Sequence, residues 1–377
     1  MDASDHRIAE DLTALNEVGH RYAGSEAERR MLHQVRNRLP EGLVGRIEGF
    51  VAFTSPEAIV LVHAAALLGA GVLGFFQPIW GALLCGLVTA HLVLESSGGR
   101  SVLRWMLPKS ASYNLVSWVA PENSLGTVVV TAPLDTPRWR PTRAEWLRRP
   151  LRLVVIAAVA VTTLLVMRSF AEPWGRPTQG IYFVSLGILA TAVLVTAVAQ
   201  RRVAGHRTDA SAPVALLGLL RRLHHTPEAK VAVYGVFTGC AHAYQNGMAA
   251  FLAMHGERLK GPVLVIALDE PGRAPLGAVV SEGPLYPQHH RPTGPALVER
   301  LRWAGEHLPE TDHTSVTDAR VAMLWGYRAL GLVGAGDDAS TPETVKQTIA
   351  VLERLIHLYA GDLDRVEVLY RPDPGAP

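Results

Sequence analysis

Apolar positions along this chain follow two different patterns. In most of the chain they recur at helical or strand spacing among charged residues, but four runs are almost free of charge: Ala58–Phe76, Ile79–Leu94, Leu151–Met167 and Gly180–Ala199. Each run is close to the ~20 residues that a helix needs to cross a bilayer. The pattern therefore predicts four transmembrane helices in two hairpins. Buried core helices are the alternative, which four nearly uncharged runs of this length disfavour.

The other segments alternate between helix and strand patterns. Apolar spacing in Asp5–Leu39, interrupted by GHRYAGSEAE, predicts two helices joined by a turn, with Ser25 capping the second. Further predicted strands are Gly42–Thr54, Lys230–Phe237, Pro262–Leu268, Gly277–Ser281 and Tyr327–Val333, and further helices are Ala212–Leu223, Met248–Met254, Ala296–Ala304 and Pro342–Leu358. This alternation predicts an α/β fold with a mixed, mainly parallel sheet flanked by helices.

One strand lies between the two hairpins. Thr127–Thr136, TVVVTAPLDT, begins with β-branched residues and ends in a loop that contains Pro133 and Asp135. A continuous apolar run of this kind is typical of a buried parallel strand. Open α/β sheets bind their ligands in the loops that follow such strands. We therefore expect the functional cleft at this loop.

The hairpins divide the polar domain into three pieces. We predict an α/β domain built from residues 1–54, 98–149 and 201–370, interrupted by hairpins at 55–97 and 150–200. The Pro-rich segment 371–377 is predicted to be a disordered tail.

Arginine and lysine are distributed unequally around the hairpins. The far-side loops hold only Arg168 and Arg176, and Trp174 is a predicted interfacial anchor there. The domain side carries Arg100, Arg104, Lys109, Arg138, Arg140, Arg143, Arg148, Arg149, Arg152, Arg201, Arg202 and Arg207. This predicts a multi-pass protein of a bacterial-type inner (plasma) membrane, with both termini and the polar domain in the cytoplasm. These domain-side residues form an arginine belt. The arginine belt could also bind anionic substrates, but its position at the ends of the spans favours a role in membrane topology and in contact with lipid headgroups.

Composition excludes several classes of protein. The formal net charge is +2, and no basic stretch is interleaved with aromatic residues, so nucleic-acid binding is not expected. The two cysteines, Cys85 and Cys240, form neither a metal-ligand pair nor a disulfide framework, which suits a reducing compartment. The polar start MDASDHRIAEDL is not a signal peptide.

The serial order of motifs in the polar segments resembles the zinc-dependent aminopeptidase and glutaminyl cyclase family, which has the di-zinc exopeptidase fold. No single motif is specific, but their order and spacing together are. The motifs are GHRYAGSEAE, SYNLVSWV, TVVVTAPLDT, TDASAPVALLGLLRRL, VFTGCAHAYQNG, VIALDEPG, TDHTSV, GYRALGLV and DDASTPETVKQTI. The resemblance implies the family's sheet, and a site where two bridged zinc ions activate a water molecule.

Several positions depart from the site that the resemblance implies. Pro133 stands where the family has a zinc-binding histidine, Thr208 where it has the bridging carboxylate, and Ala241 where it has the general base. None of these three side chains can perform the implied role, and no histidine occurs in Val333–Gly336, where the last ligand is expected. Asp135 matches the aspartate behind the first ligand, and Asp269 matches an aspartate ligand. No catalytic residue is therefore expected.

Some chemistry nevertheless remains conceivable in the cleft. Asp209, His242 and Asp269 could form a mononuclear site with two carboxylates and one imidazole, although polar remnants of a former site are the favoured interpretation. Asp312 and His313 are expected to line the pocket, because the family carries similar residues beside its substrate. Cys240 next to His242 could act as a nucleophile, but no acid partner or oxyanion signature accompanies it.

Adjacent histidines elsewhere are not expected to bind metal. In a helix or a strand, neighbouring side chains point apart, so His224–His225 and His289–His290 are expected to be solvated.

The sequence thus favours a membrane-integrated, catalytically degenerate aminopeptidase-like protein. Its expected partners are the lipid bilayer and a peptide, a partner protein or lipid headgroups, and no cofactor is expected. Two alternatives stay open. One is an active membrane metallopeptidase with a single zinc at a remodelled site. The other is a structural subunit of a membrane complex or homo-oligomer, in which the small residues Ala66, Ala70 and Gly74 would allow close helix packing.

Overall fold

The structure is a computed structural model that describes residues 3–96, 102–137, 144–170, 176–201, 208–283, 288–290, 298–299, 301–302, 308–313, 315–336 and 339–363. Within these residues, nine strands form one sheet. They are β1 (Arg46–Phe53), β2 (Lys109–Val119), β3 (Gly126–Pro133), β4 (Val231–Thr238), β5 (Val263–Asp269), β6 (Leu276–Glu282), β7 (Gln288–His289), β8 (Glu310–His313) and β9 (Arg328–Gly334).

The strand order is β1-β2-β4-β3-β5-β9-β6-β7, with β8 paired to β6. The four central strands β4, β3, β5 and β9 run parallel. Antiparallel pairing occurs on both sides, between β1 and β2, β2 and β4, β9 and β6, and β6 and β7. The predicted α/β class with a mixed, mainly parallel sheet is confirmed.

Helices cover both faces of the sheet. The described α-helices are α1 (Ala3–Asn16), α2 (Glu26–Arg36), α3 (Pro56–Phe76), α4 (Pro78–Ser96), α5 (Val102–Met106), α6 (Ala144–Phe170), α7 (Arg176–Arg201), α8 (Ser211–His225), α9 (Asn246–His255), α10 (Asp318–Leu324) and α11 (Pro342–Leu363). One core joins the sheet to α1, α2, α8 and α11. A second core joins it to α9 and α10. As predicted, the Ser25 side chain caps α2, accepting from the backbone N–H of Glu28 at 3.2 Å.

The central strand β3 is buried along its whole length. Its β-branched residues favour extended backbone, and it is hydrogen-bonded on both sides, to β4 and to β5. Neighbours on both sides and cores on both faces leave it no solvent-exposed edge. The strand therefore fixes the position of the loop that follows it.

Four helices are long and apolar enough to cross a membrane: Ala58–Phe76 within α3, Pro78–Glu95 within α4, Arg152–Phe170 within α6 and Thr178–Val195 within α7. Only Gln77 separates α3 from α4, so they form a tight hairpin. The helices pack on one another around a common apolar cluster that includes Leu67, Leu165 and Tyr182. Many of their outward-facing apolar side chains are exposed, which suits contact with lipid.

The structure also differs from the sequence pattern in places. Helix α6 begins at Ala144, seven residues before the predicted start of the third run, because polar residues extend the helix beyond the apolar segment. Of the predicted helix Ala296–Ala304, Val298, Glu299, Leu301 and Arg302 are helical, and its other residues lie outside the described residues. Trp174 and the predicted tail 371–377 also lie outside them.

Candidate functional site

The carboxyl ends of β3, β4 and β5 bring three segments of the chain together. Asp135 follows β3, the loop 239–245 follows β4, and Asp269 ends β5. Because these strands are parallel neighbours, with Pro133 opposite Thr238, the segments converge at one edge of the sheet. We call loop 239–245 the cleft loop.

Asp135 holds the cleft loop in place. Its carboxylate accepts the backbone N–H groups of Ala241 at 2.9 Å and of His242 at 3.0 Å. The residue is only 2% exposed, so these bonds form away from bulk solvent, where charge-assisted hydrogen bonds are strong. Ala241, which cannot act as a base, contributes its amide to this contact. Asp135 therefore determines the backbone path of the loop.

His242 lies between two carboxylates. Its Nδ1 is 3.4 Å from Oδ1 of Asp135, and its Nε2 is 3.5 Å from Oδ1 of Asp269. Burial alone would lower the pKa of His242, but the charges and hydrogen bonds of Asp135 and Asp269 outweigh burial and raise that pKa to about 10. The side chain is therefore an imidazolium at neutral pH, with a proton on each nitrogen.

Asp269 joins a second histidine to the site. Its Oδ2 lies 3.0 Å from Nε2 of His313, and its Oδ1 is buried without a hydrogen-bond partner among the described residues. Burial opposes ionisation here, but the contacts of His242 and His313 prevail and hold the pKa of Asp269 well below its usual value. Asp312, which was predicted to line the pocket together with His313, instead accepts a hydrogen bond from Ser281. Of this pair, therefore, His313 is the one that contacts a site residue.

Glu28 is a site residue that the sequence patterns did not single out. It is 3% exposed, and its carboxylate accepts the backbone N–H groups of Cys240 at 2.7 Å and Gly24 at 2.8 Å and the hydroxyl of Ser112 at 3.0 Å. Burial, reinforced by the charge of Asp135, raises the pKa of Glu28 to about 7. The sequence did contain a signal for this residue, because Glu28 is the last residue of the motif GHRYAGSEAE.

Asp318 at the start of α10 was also missed. The hydroxyl of Thr238 donates to its Oδ2 at 2.8 Å, and the side chain is buried. Burial raises the pKa of Asp318 to about 7, despite hydrogen bonds that favour the charged form. No sequence motif marks this position.

Cys240 is fully buried. Burial, with the charges of Glu28 and Asp135, raises the pKa of its thiol far above the usual value. A thiol without access to solvent or to the thiolate form does not act as a nucleophile, so the geometry gives no support to nucleophilic catalysis by Cys240.

The structure places Asp209 in a different set of contacts. One oxygen accepts the backbone N–H of Ser211 at 2.7 Å, and the other lies 3.2 Å from Nε of Arg273 and accepts from Ser340. Thr208 donates its hydroxyl to the carbonyl of Asn16 at 3.2 Å. Both residues thus connect α8 to neighbouring loops. No contact brings them to His242 or Asp269.

The backbone of the cleft loop is strained. Cys240, Tyr244 and Gln245 have φ angles of 50°, 63° and 50°, in the left-handed region that non-glycine residues seldom adopt. Such conformations persist only where surrounding contacts hold them, and they cluster at functional sites. Here Glu28 holds Cys240 and Asp135 holds the next two residues. The loop is therefore kept in shape by buried carboxylates.

Comparisons with known proteins identify the fold. No protein-family model and no curated protein matches the sequence. Among solved structures, an aminopeptidase from Aneurinibacillus sp. matches with a TM-score of 0.52 at 10% identity, covering 94% of this chain and 93% of that chain. A glutaminyl cyclase from Porphyromonas gingivalis and a zinc aminopeptidase from Bacillus subtilis each match with a TM-score of 0.50 at 10% identity, covering 94% of this chain and 98% and 95% of theirs. The chain therefore has the aminopeptidase and glutaminyl cyclase fold.

The described residues do not fit the two-zinc centre that this fold implies. Pro133 offers no donor atom, and neither does Gly334–Gly336. His242 and Asp269 carry donor atoms but face each other as an ion pair. Among the described residues, no group of three or more His, Cys, Asp or Glu side chains is arranged to hold a metal ion. Oδ1 of Asp269 is buried and accepts no hydrogen bond among the described residues, but it faces Nε2 of His242 at 3.5 Å.

Proposed function

We propose that this chain is a membrane-integrated, non-catalytic protein of the aminopeptidase fold, whose cleft binds a peptide or a partner protein at the cytoplasmic membrane face. One observation carries the proposal: the side chain of His242 lies between the carboxylates of Asp135 and Asp269, at the carboxyl ends of the parallel strands. The positive charge neutralises the remaining carboxylates without a metal. The strained loop suits a functional site, while Pro133 and Ala241 stand where the family resemblance implies a zinc ligand and the general base.

Peptide or protein binding suits the chemistry of this cleft. The site lies at the ends of parallel strands and presents a row of alternating carboxylates and imidazoles, from Asp135 through His242 and Asp269 to His313. Such a row can pair with a terminal amine or a basic side chain through the carboxylates and with an acidic group through the histidines. The arginine belt beside the spans would orient the domain against anionic lipid headgroups.

A second candidate function is a metallopeptidase with a single zinc at His242, Asp269 and Asp209. Oδ1 of Asp269, which is buried and accepts no hydrogen bond among the described residues, favours it. Zinc requires a neutral imidazole, so the ion would have to displace the proton from Nε2 of His242. It would also have to draw Asp209 away from Arg273 and Ser340. Both costs favour the metal-free interpretation.

Metal analysis and peptidase assays distinguish the two candidates. The full-length protein is purified in detergent, equilibrated with zinc and desalted. Bound zinc is then counted by mass spectrometry, and hydrolysis of aminoacyl-p-nitroanilides is followed. We expect substoichiometric zinc and no hydrolysis, with the same result for Asp269→Ala. Glu26→Gln, at an exposed acid, is the control for non-specific loss of zinc.

One tightly held zinc per chain that disappears in Asp269→Ala, together with hydrolysis, would establish the metallopeptidase. A stoichiometric membrane protein that co-purifies and stays bound after the cleft loop is altered by Asp135→Asn would point to a structural subunit instead.

A further inference from the structure

Two histidines of the first hairpin form a hydrogen-bonded pair. Nε2 of His63 lies 2.8 Å from Nδ1 of His91, and Nδ1 of His63 lies 2.8 Å from the carbonyl oxygen of Ile59. Because a carbonyl only accepts, Nδ1 of His63 carries a proton, and Nε2 of His63 accepts the proton of His91 Nδ1. Nε2 of His91 is then the unprotonated nitrogen of the pair. An added proton would bind there.

Glu95 follows His91 by one helical turn, so both side chains lie on the same face of α4. Glu95 is 5% exposed, and its Oε2 has no hydrogen-bond partner among the described residues. Its negative charge acts on His63. Ionisable groups buried within spans are costly and typically functional. A buried carboxylate with an open oxygen stabilises an imidazolium on the neighbouring turn.

Arg104 connects this carboxylate to the cleft. Its Nε donates to Oε1 of Glu95 at 2.6 Å, and its guanidinium lies 4.0 Å from the centre of the Tyr244 ring. Tyr244 belongs to the strained cleft loop and also contacts Phe53, with ring centres 6.2 Å apart. A continuous series of contacts thus runs from the histidine pair to the loop that carries His242.

We propose that protonation of the His63–His91 pair in the first hairpin controls the cleft loop through Glu95, Arg104 and Tyr244. An imidazolium at His91 competes with Arg104 for the carboxylate of Glu95. Arg104 then holds Tyr244 less firmly, and the strained loop relaxes. The inference deepens the proposed function, since it gives the regulation of the same cleft, and it assigns the hairpin a sensing role besides anchoring.

Few other charges act on the pair. The helices packed against α3 and α4 are α6 and α7. Among their described side chains, α6 carries Arg152, which is exposed, and Arg168, which lies over Phe75 near the other end of α3. The remaining titratable groups within the described spans are Cys85, which donates to the carbonyl of Leu67, and Tyr182, which donates to that of Gly71. Glu95 is therefore the carboxylate that responds to the histidines.

Hydrogen exchange of the full-length protein in lipid nanodiscs tests this coupling without metal or peptide, so its result is independent of the binding proposal. Exchange of the peptide containing residues 239–246 is measured from pH 5 to 8, and each variant is compared with wild type at the same pH. We expect loop exchange in wild type to rise at low pH by roughly 2- to 30-fold, the range that loss of a cation–π contact gives. His91→Gln should remove the part of this rise that the histidine pair causes and leave the part that comes from protonation of Glu28, which holds Cys240.

Two further variants make the test decisive. Tyr244→Leu leaves the hairpin unchanged and should give fast loop exchange at every pH, which keeps the proposal testable if a hairpin variant fails to fold. Arg168→Gln removes the matching cation–π contact at the other end of α3 and should retain the wild-type response. Glu28 is present in every variant, so its titration near pH 7 cancels in the comparison. An unaltered pH response in His91→Gln or in Arg104→Gln would overturn the proposal.

Discussion

In the proposed metal-free site, the side chain of His242 takes the role of a metal ion. Its imidazolium neutralises two carboxylates that would otherwise repel each other, and its backbone N–H is itself bonded to Asp135. Removing one partner from a buried ion pair typically costs about 3–5 kcal/mol. The site is therefore stable as it stands. Any cation that enters must compete with a charge that is already covalently attached to the cleft loop.

Asp318 makes the stability of the domain depend on pH in an unusual direction. Its pKa is about 7 in the folded protein against an ordinary 3.8, so the folded state holds this proton longer than the unfolded state does. This group therefore lowers stability as pH rises from about 4 to about 7, with a slope of at most ~1.4 kcal/mol per pH unit. Asp318→Asn should remove that slope. Denaturation midpoints at several pH values measure it.

The control for this prediction is Glu26→Gln, at an acid whose side chain is 70% exposed. It should leave the pH profile parallel to that of wild type. If Asp318→Asn also runs parallel to wild type between pH 4 and 7, the buried carboxyl does not retain its proton in the folded state.

At the scale of elements, the first hairpin depends on close contact between two glycines. A Cβ atom added to Gly81 of α4 would lie 2.6 Å from the backbone nitrogen of Gly74 in α3. Ala70, on the same face of α3, is buried, and Leu165 of α6 packs against Gly74. The small residues that the sequence offered for contact with another subunit are thus largely used within this chain. The described contacts therefore give no support to the structural-subunit alternative.

Gly81→Ala should destabilise the hairpin by about 1–3 kcal/mol, because the helices must separate to admit the methyl group. Thermal unfolding of the detergent-solubilised protein measures the loss. Gly69→Ala is the matched control, since a Cβ atom at Gly69 on α3 meets nothing within 4 Å. Equal effects of the two substitutions would contradict the close packing.

The sequence predicts elements better than it predicts contacts. Apolar runs and β-branched segments identified the spans and the central strands, because these patterns reflect burial directly. Motif order then placed Asp135, His242 and Asp269 in one cleft. Glu28 and Asp318 were missed because local patterns do not report which carboxylates become buried. Asp209 was assigned to the cleft from its position in the motif TDASAPVALLGLLRRL. In the structure, its carboxylate instead contacts Arg273 and Ser340.

At the scale of the whole molecule, the proposed topology of two transmembrane hairpins leaves all three pieces of the α/β domain in one compartment. Cysteine labelling tests this arrangement, since native Cys85 and Cys240 are both buried and should give little background. Gln347→Cys lies on the exposed side of α11, and Gln77→Cys lies at the exposed turn of the first hairpin. An impermeant maleimide added to intact cells should label Gln77→Cys alone. Labelling of Gln347→Cys from outside would refute the cytoplasmic placement of the domain.

The pairing of β3 with β4 and β5 has a consequence for how the protein is made. The ribosome synthesises β3 between the two hairpins, but both of its partners come after the second hairpin. The parallel core therefore cannot close until all four apolar helices have emerged. Such long-range pairing is slow to form, and β1, β2 and β3 meanwhile present unpaired edges. In the proposed topology, the four spans therefore enter the membrane first, and the site at the ends of β3, β4 and β5 is assembled last, beside the bilayer.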